Sequence, residues 1–568
     1  MSKSRKIKYD NIIPKTLSLD SKFIDFTDNQ KLIKNNQVSE ILNVGKKRLS
    51  IFTYLIFILM ALVIIKSFEY STKNYLFIKL SGNKNFLMRG MILDRNNNVI
   101  SGSIPVKDLY LEPNKILDNI NFVDQIKLIF PDINTNKINN IIKSGKYRLL
   151  KKHLSKTEEV KILKLGEPAL TFQESQKRIY PQNNLFSQIT GFVSKYGVPK
   201  SKLEKSQNQI LEKGQNIHLT LDSKLQNIFY EELKRGMENF NARASAAIMM
   251  DVNTGEIITM LSLPDYNPNF PNKIKPFSEN NLITSARYEM GSTLKTLNVA
   301  MALQGDISIK NQLFDVSKPY KLSKNYLVHD VVKLSNEANL NDIFVNSSNI
   351  GSIKIFDEIG HIKQKAFFSK LHVDKDLEIE GLKIIRNRLP ENWNQLSGRS
   401  LSFGYGASFT PISLVNTYAL LVNGGYHVTP KIIKNLETKK KRVFSENLSK
   451  EVRKLLHNVV INGSGKKAYV NGIDIGGKTG TARKTNNKNY GDKVITSFIG
   501  VFPITEPKYI IFILLDEPHN INSEALYGGN TAAPIFSRIL KRIAIDIKIY
   551  PEKKFEITKK KSLYNETF

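Results

Sequence analysis

From Leu49 to Ile65 the chain reads LSIFTYLIFILMALVII, seventeen positions without a charge and apolar on every helical face. That pattern predicts a membrane-spanning helix over 49–66 rather than a one-sided core helix. Lys46, Lys47 and Arg48 abut one end, and Lys66-Ser-Phe-Glu-Tyr follows the other without a small-x-small cleavage site, so the segment reads as a retained anchor and not a cleaved signal peptide. Residues 1–48 carry eleven Lys or Arg against five acids, which predicts a cytoplasmic basic tail and export of everything after the anchor. No second apolar run of that length follows, so the pattern is that of a single-pass protein.

Beyond the anchor, residues 67–235 alternate short apolar runs with Asn, Gly and Lys clusters broken by Pro105, Pro113, Pro131, Pro168, Pro181 and Pro199. This reads as an irregular, partly β domain. From 236 to 552 the pattern sharpens. Ala246 to Val252 and Glu256 to Leu263 flank Asn253-Thr254-Gly255, a turn between two β-rich runs and hence a hairpin. Ile510 to Leu515 is a continuous apolar run, as for a strand covered on both faces. Thr293 to Leu303 and Thr410 to Leu421 read as helices. Together these predict an α+β domain, with a charged C-terminal tail over 553–568.

The 568 residues leave room for several domains, and 41% hydrophobic with 24% charged is an ordinary globular balance. There is no cysteine, which removes thiol catalysis, disulfides and cysteine-bound metals, and the eight histidines form no HExxH pair. The net charge of +32 raises the question of nucleic acid. Yet the excess is mostly Lys, spread from Lys3 to Lys561 among abundant Asn and Ile as AT-rich codons would give, with no finger, RNP-like strand or isolated basic helix. An anionic surface or acidic polymer is the other reading of that charge.

Three short patterns could carry chemistry. Ser292-Thr293-Leu294-Lys295 puts a hydroxyl and an amine three residues apart, on one face if a helix starts there, so that a neutral amine can serve the serine as base. The same pattern recurs at Ser81–Lys84 and Ser464–Lys467. Ser347-Ser348-Asn349 could supply a relay hydroxyl and an amide, but Ser206-Gln207-Asn208 and Ser323-Lys324-Asn325 match it equally. Lys478-Thr479-Gly480-Thr481, after Gly476-Gly477, occurs once and offers a cation, hydroxyls and room for close backbone approach. Taken in order, the three are the signature of penicillin-recognising serine acyl-transferases, and their first residues lie 55 and 131 residues apart.

With these motifs in place the chain resembles the class B penicillin-binding proteins, and among them the division-specific D,D-transpeptidases of Gram-negative bacteria. The resemblance runs from about residue 46 to 540. It includes Met88 to Asn96 (MRGMILDRN), Arg178-Ile179-Tyr180-Pro181 with Ile189-Thr190-Gly191-Phe192, Leu219 to Gln226, Asp251 to Pro268, Tyr288 to Lys295, Gly404-Tyr405-Gly406, Gly528-Gly529 and Ala532-Ala533-Pro534.

It implies a pedestal of the dimerisation type over 67–235 and a transpeptidase domain, an antiparallel sheet flanked by helices, over 236–552. It also implies Ser292 as acylated nucleophile, Lys295 as base, and Ser347 as proton relay. Asn349 would bind the stem peptide, and Lys478 would hold the Ser347 hydroxyl and depress the Lys295 pKa. Thr479, Gly480 and Thr481 would bind the terminal D-Ala, with the Ser292 and Thr481 amides as oxyanion hole. Two positions depart from the family: Met290 and Thr296 stand where proline is common, which puts the stiffness of the helix start in question. The Leu-Glu-Lys-Gly-Gln-Asn stretch between Ile210 and Ile217 is a shortened linker.

The implied activity is septal peptidoglycan cross-linking from a D-Ala-D-Ala donor, without metal or cofactor, in the periplasm. Implied partners are stem peptides, β-lactams, a SEDS-family glycosyltransferase and other divisome membrane proteins, and not nucleic acid. The alternatives are an elongation-specific transpeptidase, a D,D-carboxypeptidase or β-lactamase, which the long pedestal disfavours, and a non-catalytic β-lactam sensor or divisome scaffold.

Overall fold

The structure, a computed structural model, describes residues 47–66 and 87–549, apart from residues 119, 325, 435, 439, 487–488 and 520–525. The expected basic tail before residue 47, residues 67–86 with the Ser81–Lys84 pattern, and the 553–568 tail lie outside the described residues. Lys47–Lys66 forms one helix, α1, long and apolar enough to cross a membrane. Residues 1–86 and 87–568 are separate units.

The first part of the second unit is built on five strands: β1 (Ile92–Leu93), β2 (Val99–Leu111), β3 (Arg148–Leu154), β4 (Leu170–Ile179) and β5 (Ile217–His218). They run in the order β3-β2-β1-β5, with β4 also paired to β2. The shortened linker leads straight into the sheet, because β5, which follows it, pairs parallel to β1. The sequence pattern suggests irregular structure here, yet helices also form before β5, three of them eight residues or longer: α2 (Phe122–Ile129), α3 (Thr135–Ser144) and α4 (Lys156–Leu165). They were hard to see because each buries only two residues; α3 (TNKINNIIKS) buries Ile138 and Ile141. End groups define them instead. Asn134 caps α3 and Gly145 ends it in the left-handed region, while Ser155 and Glu158 make a capping box on α4. Their apolar sides close a small core around Leu109, Phe122, Ile126 and Leu150.

The second part is an antiparallel sheet of β6 (Ala244–Asp251), β7 (Ile257–Leu263), β8 (Gly476–Asn486), β9 (Asn489–Phe502) and β10 (Tyr509–Asp516), in the order β8-β9-β10-β6-β7. The expected hairpin is β6–β7, and its turn is fixed by Asp251, whose carboxylate accepts from the amides of Asn253 and Thr254. The expected apolar run is β10, buried at every position and so covered on both faces. The covering helices are α5 (Ser223–Asn239), α6 (Lys295–Gly305), α7 (Leu340–Val345), α8 (Asn349–Ile359), α9 (Pro411–Val422), α10 (Glu446–Ile461) and α11 (Ala532–Ile543). The α9 helix is buried along its whole length, started by the Thr410 cap and Pro411. One core joins this domain to the nearer part of the pedestal. Strand β8, which carries Lys478 to Thr481, is an edge strand, so one side of its backbone remains open to a ligand.

Candidate active site

The Ser292 segment begins as a 3-10 turn over Gly291–Leu294, and α6 starts at Lys295. In a 3-10 turn residues i and i+3 eclipse, so Ser292 and Lys295 share one face more closely than an α-helix would set them. Gly291 makes this possible. Its φ is +52°, and a Cβ there would lie 2.3 Å from the carbonyl oxygen of Thr481. The turn is thereby pressed against strand β8.

The departure at Thr296 has a compensation. The Tyr418 hydroxyl, fully buried on α9, donates to the Thr293 carbonyl at 2.6 Å, so the Thr296 hydroxyl 2.7 Å away donates to Tyr418. This chain ties the helix start to α9 and restores the stiffness that proline would have supplied.

Lys295 is fully buried, and its ammonium faces the Ser347 carbonyl at 2.5 Å, the Asn349 Oδ1 at 2.7 Å and the Ser347 Oγ at 3.2 Å. Lys478, equally buried, donates to the same Ser347 Oγ at 3.0 Å and lies 5.7 Å from the centre of the Phe344 ring. One hydroxyl thus sits between two buried amines. Burial pushes the Lys295 pKa well below the usual lysine range; the nearby Lys478 adds to this, and Asp330 opposes it. Burial lowers Lys478 to about 7. Ser347 holds its place at a φ of +59°, in the left-handed region, between α7 and α8.

Asp330 carried no motif signal, yet it organises this turn. Its carboxylate accepts from the amides of Asn349 at 2.5 Å and Ile350 at 3.0 Å, and from the Ser348 hydroxyl at 2.6 Å. It thereby satisfies the first donors of α8 from a loop 18 residues upstream, which no local spacing could announce. The Asn349 Nδ2 donates to the His329 carbonyl.

On β8, the Thr479 hydroxyl is 2.8 Å from that of Ser464, and the Thr481 Oγ1 accepts from the Gly528 amide at 3.0 Å. A side chain at Gly480 would lie 2.4 Å from the Ser497 Oγ and 2.8 Å from the Met290 carbonyl, so close approach of the Ser292 turn demands glycine. The duplicate patterns resolve spatially. Asn208 accepts from Arg89 in the pedestal, Ser323 lies in a short strand pair, and Ser464 is a neighbour of Thr479 rather than a second nucleophile. The structure therefore joins Lys295, Ser347, Asn349 and Lys478 by direct contact, with Ser292 in the turn that leads into Lys295. Ser292 itself is half-buried, and no hydrogen bond of its hydroxyl is found among the described residues.

Residues 245–541 match the penicillin binding protein transpeptidase domain, and residues 87–219 match the penicillin-binding protein dimerisation domain. A Caulobacter vibrioides protein named "Probable peptidoglycan D,D-transpeptidase FtsI" is 30% identical over 80% of this chain and 81% of its own length. The Escherichia coli K12 peptidoglycan D,D-transpeptidase FtsI is 27% identical over 82% of this chain and 84% of its own. A solved structure from Atopobium parvulum shares the fold, with a TM-score of 0.63 at 22% identity over 82% of this chain and 98% of that one. A 3-10 turn bearing a serine, a buried lysine one turn on and a second buried lysine on an edge strand thus lie within a matched transpeptidase domain, and the chain belongs to the penicillin-binding protein transpeptidase family.

Proposed function

We propose that the chain is a membrane-anchored serine D,D-transpeptidase that cross-links stem peptides of septal peptidoglycan, with Ser292 as its nucleophile. The single observation that carries the site assignment is the Ser347 hydroxyl held between two buried lysines, one of them a turn after Ser292. In water neither amine would be neutral at pH 7, but desolvation disfavours the ammonium of both. Lys295 can then take the Ser292 proton as Oγ attacks the carbonyl of the D-Ala-D-Ala amide. The oxyanion forms against the backbone amides of Ser292 and Thr481. Collapse breaks the amide C–N bond, the leaving D-Ala amine receives its proton through Ser347, and an ester to Ser292 remains. An acceptor amine from a neighbouring stem attacks that ester, releases Ser292 and returns the proton.

The donor peptide is read by the open edge of β8, where an extended chain can pair with the strand backbone. Thr479 and Thr481 take its terminal carboxylate, and Gly480 lets the Ser292 turn close on the strand. Asn349 has one amide hydrogen beyond that given to His329, which the peptide backbone of the stem can accept. β-Lactams present the same carboxylate and a reactive amide, so they acylate the same serine.

The names of the relatives favour division over elongation. The anchor helix fixes the domain to the cytoplasmic membrane, with the basic N-terminus inside and residues 67–552 in the periplasm as pedestal and transpeptidase domains. A bare transpeptidase needs fresh glycan strands, so a SEDS-family glycosyltransferase and other divisome membrane proteins are the partners this reading proposes. Fluorescent penicillin applied to the full chain in detergent, followed by peptide mapping, tests the assignment. The adduct is expected on Ser292, long-lived, and absent in Ser292→Ala. Labelling at another serine, or rapid drug hydrolysis, overturns it.

A further inference from the structure

A cavity of about 350 Å³ lies where the pedestal meets the 268–273 loop of the transpeptidase domain. Its walls are fixed to each other: the Tyr180 amide donates to Asn269 Oδ1 at 3.0 Å, and Asn269 Nδ2 donates back to the Tyr180 carbonyl at 2.9 Å. The lining carries Arg89, Lys177, Arg178, Lys195 and Lys273 with His153, and no acidic residue. Beneath it Glu204, fully buried, pairs with both Arg89 at 2.8 Å and Arg178 at 2.7 Å. One carboxylate therefore faces two guanidiniums, neither of which can lose its proton.

The surplus shows in an unpaired group. The Arg178 side chain is 95% buried, its Nε and Nη1 are engaged, and its Nη2 has no hydrogen-bond partner among the described residues. Glu204 balances only one of the two guanidiniums, and the lining adds further cations but no carboxylate. An incoming anion would offset that excess charge. Phe270, Pro271 and Val193 make the other wall apolar, which suits a carboxylate on a peptide with methyl side chains better than a strongly hydrated phosphate.

We propose that this cavity is a second binding site for peptidoglycan, holding a stem-peptide carboxylate at Lys195 and Lys273, above the excess charge of the buried Arg89–Arg178 pair, while Phe270 and Pro271 contact the peptide's apolar groups. It rests on the reading that the chain works on peptidoglycan, and it uses none of the residues around Ser292. Because pedestal and transpeptidase residues both line it, an occupied cavity links the position of the two domains to the presence of substrate strands.

The test uses the full chain in detergent micelles with Ser292 already acylated by penicillin, titrated calorimetrically with uncross-linked disaccharide-tripeptide, which lacks D-Ala-D-Ala. Saturable binding is expected, weakened about tenfold or more in the doubly substituted Lys195→Gln/Lys273→Gln chain and by amidation of the probe's carboxylates. Both lysines are exposed, so the variant keeps its fold, and an unchanged rate of penicillin acylation verifies this. Unchanged affinity in the variant, or binding seen only before acylation, overturns the proposal. Displacement of the probe by inorganic pyrophosphate at lower concentration than by free tripeptide overturns the carboxylate assignment. Failure of the transpeptidase reading would appear separately, as wild-type chain that does not acylate at Ser292.

Discussion

Two places in this molecule bury a pair of basic side chains, and they treat the charge in opposite ways. In the pedestal, Arg89 and Arg178 converge on the fully buried Glu204, with the Ser101 and Tyr180 hydroxyls bonded to the same carboxylate. In the transpeptidase domain, Lys295 and Lys478 converge on the neutral hydroxyl of Ser347, and no carboxylate hydrogen-bonds either amine among the described residues. Guanidinium keeps its proton whatever its surroundings, so its burial requires an anion. An amine can give the proton up instead, so its burial yields a base. Asp330 is near enough to be felt by Lys295, yet its oxygens are committed to the start of α8. A buried cation with a partner is a structural joint; one without can be chemistry.

The largest test of that contrast is Lys295→Met. Loss of the proposed base should slow penicillin acylation by about 10²–10⁴-fold, while thermal stability holds or rises because a buried amine has been removed. Both lysines hold fewer protons folded than unfolded from about pH 7, the folded value for Lys478, to the ordinary lysine range. Stability of the wild type should therefore rise with pH across that window, and the variant should lose part of the slope in pH-dependent melts.

Glu204→Gln is the counterpart. It leaves two arginines without an anion and should cost about 3–5 kcal/mol of stability, read by denaturant unfolding, with acylation per folded molecule unchanged. If the two variants cost the same stability, the contrast fails.

Lys478→Met sharpens the coupling between the amines. Removing its positive charge lets the Lys295 pKa rise, so the acid limb of the acylation pH profile should move to higher pH, with a rate loss near pH 7 of roughly tenfold. Burial, the larger cause of the shift, remains. The smallest effect is expected for Asp330→Asn. Its carboxylate raises the Lys295 pKa, so the same limb should move slightly to lower pH, while the weakened cap on α8 costs about 1–2 kcal/mol. Movement of both profiles in one direction would show that geometry, and not charge, dominates.

Much of this was open to reading in the chain itself. The anchor, the β6–β7 hairpin and the β10 strand declare themselves by local pattern, since a continuous apolar run and a turn triplet each act over a few residues. The three motifs named Ser292, Lys295, Ser347, Asn349 and Lys478, although two of the three patterns had equally good copies elsewhere. Pedestal helices α2 to α4 escaped because their apolar stripes are two residues wide and their caps do the defining. Asp330, Ser464 and Tyr418 escaped because their roles depend on neighbours 15 to 125 residues away.

What the sequence determined alone is therefore an apolar anchor, an α+β domain and an ordered set of reactive residue types. Only the tertiary structure decided which serine stands beside which lysine, and that both amines are desolvated with no carboxylate hydrogen-bonded to them among the described residues. Hydroxyls and amines become nucleophile and base through burial and mutual distance, and both are set by contacts among segments far apart in the chain.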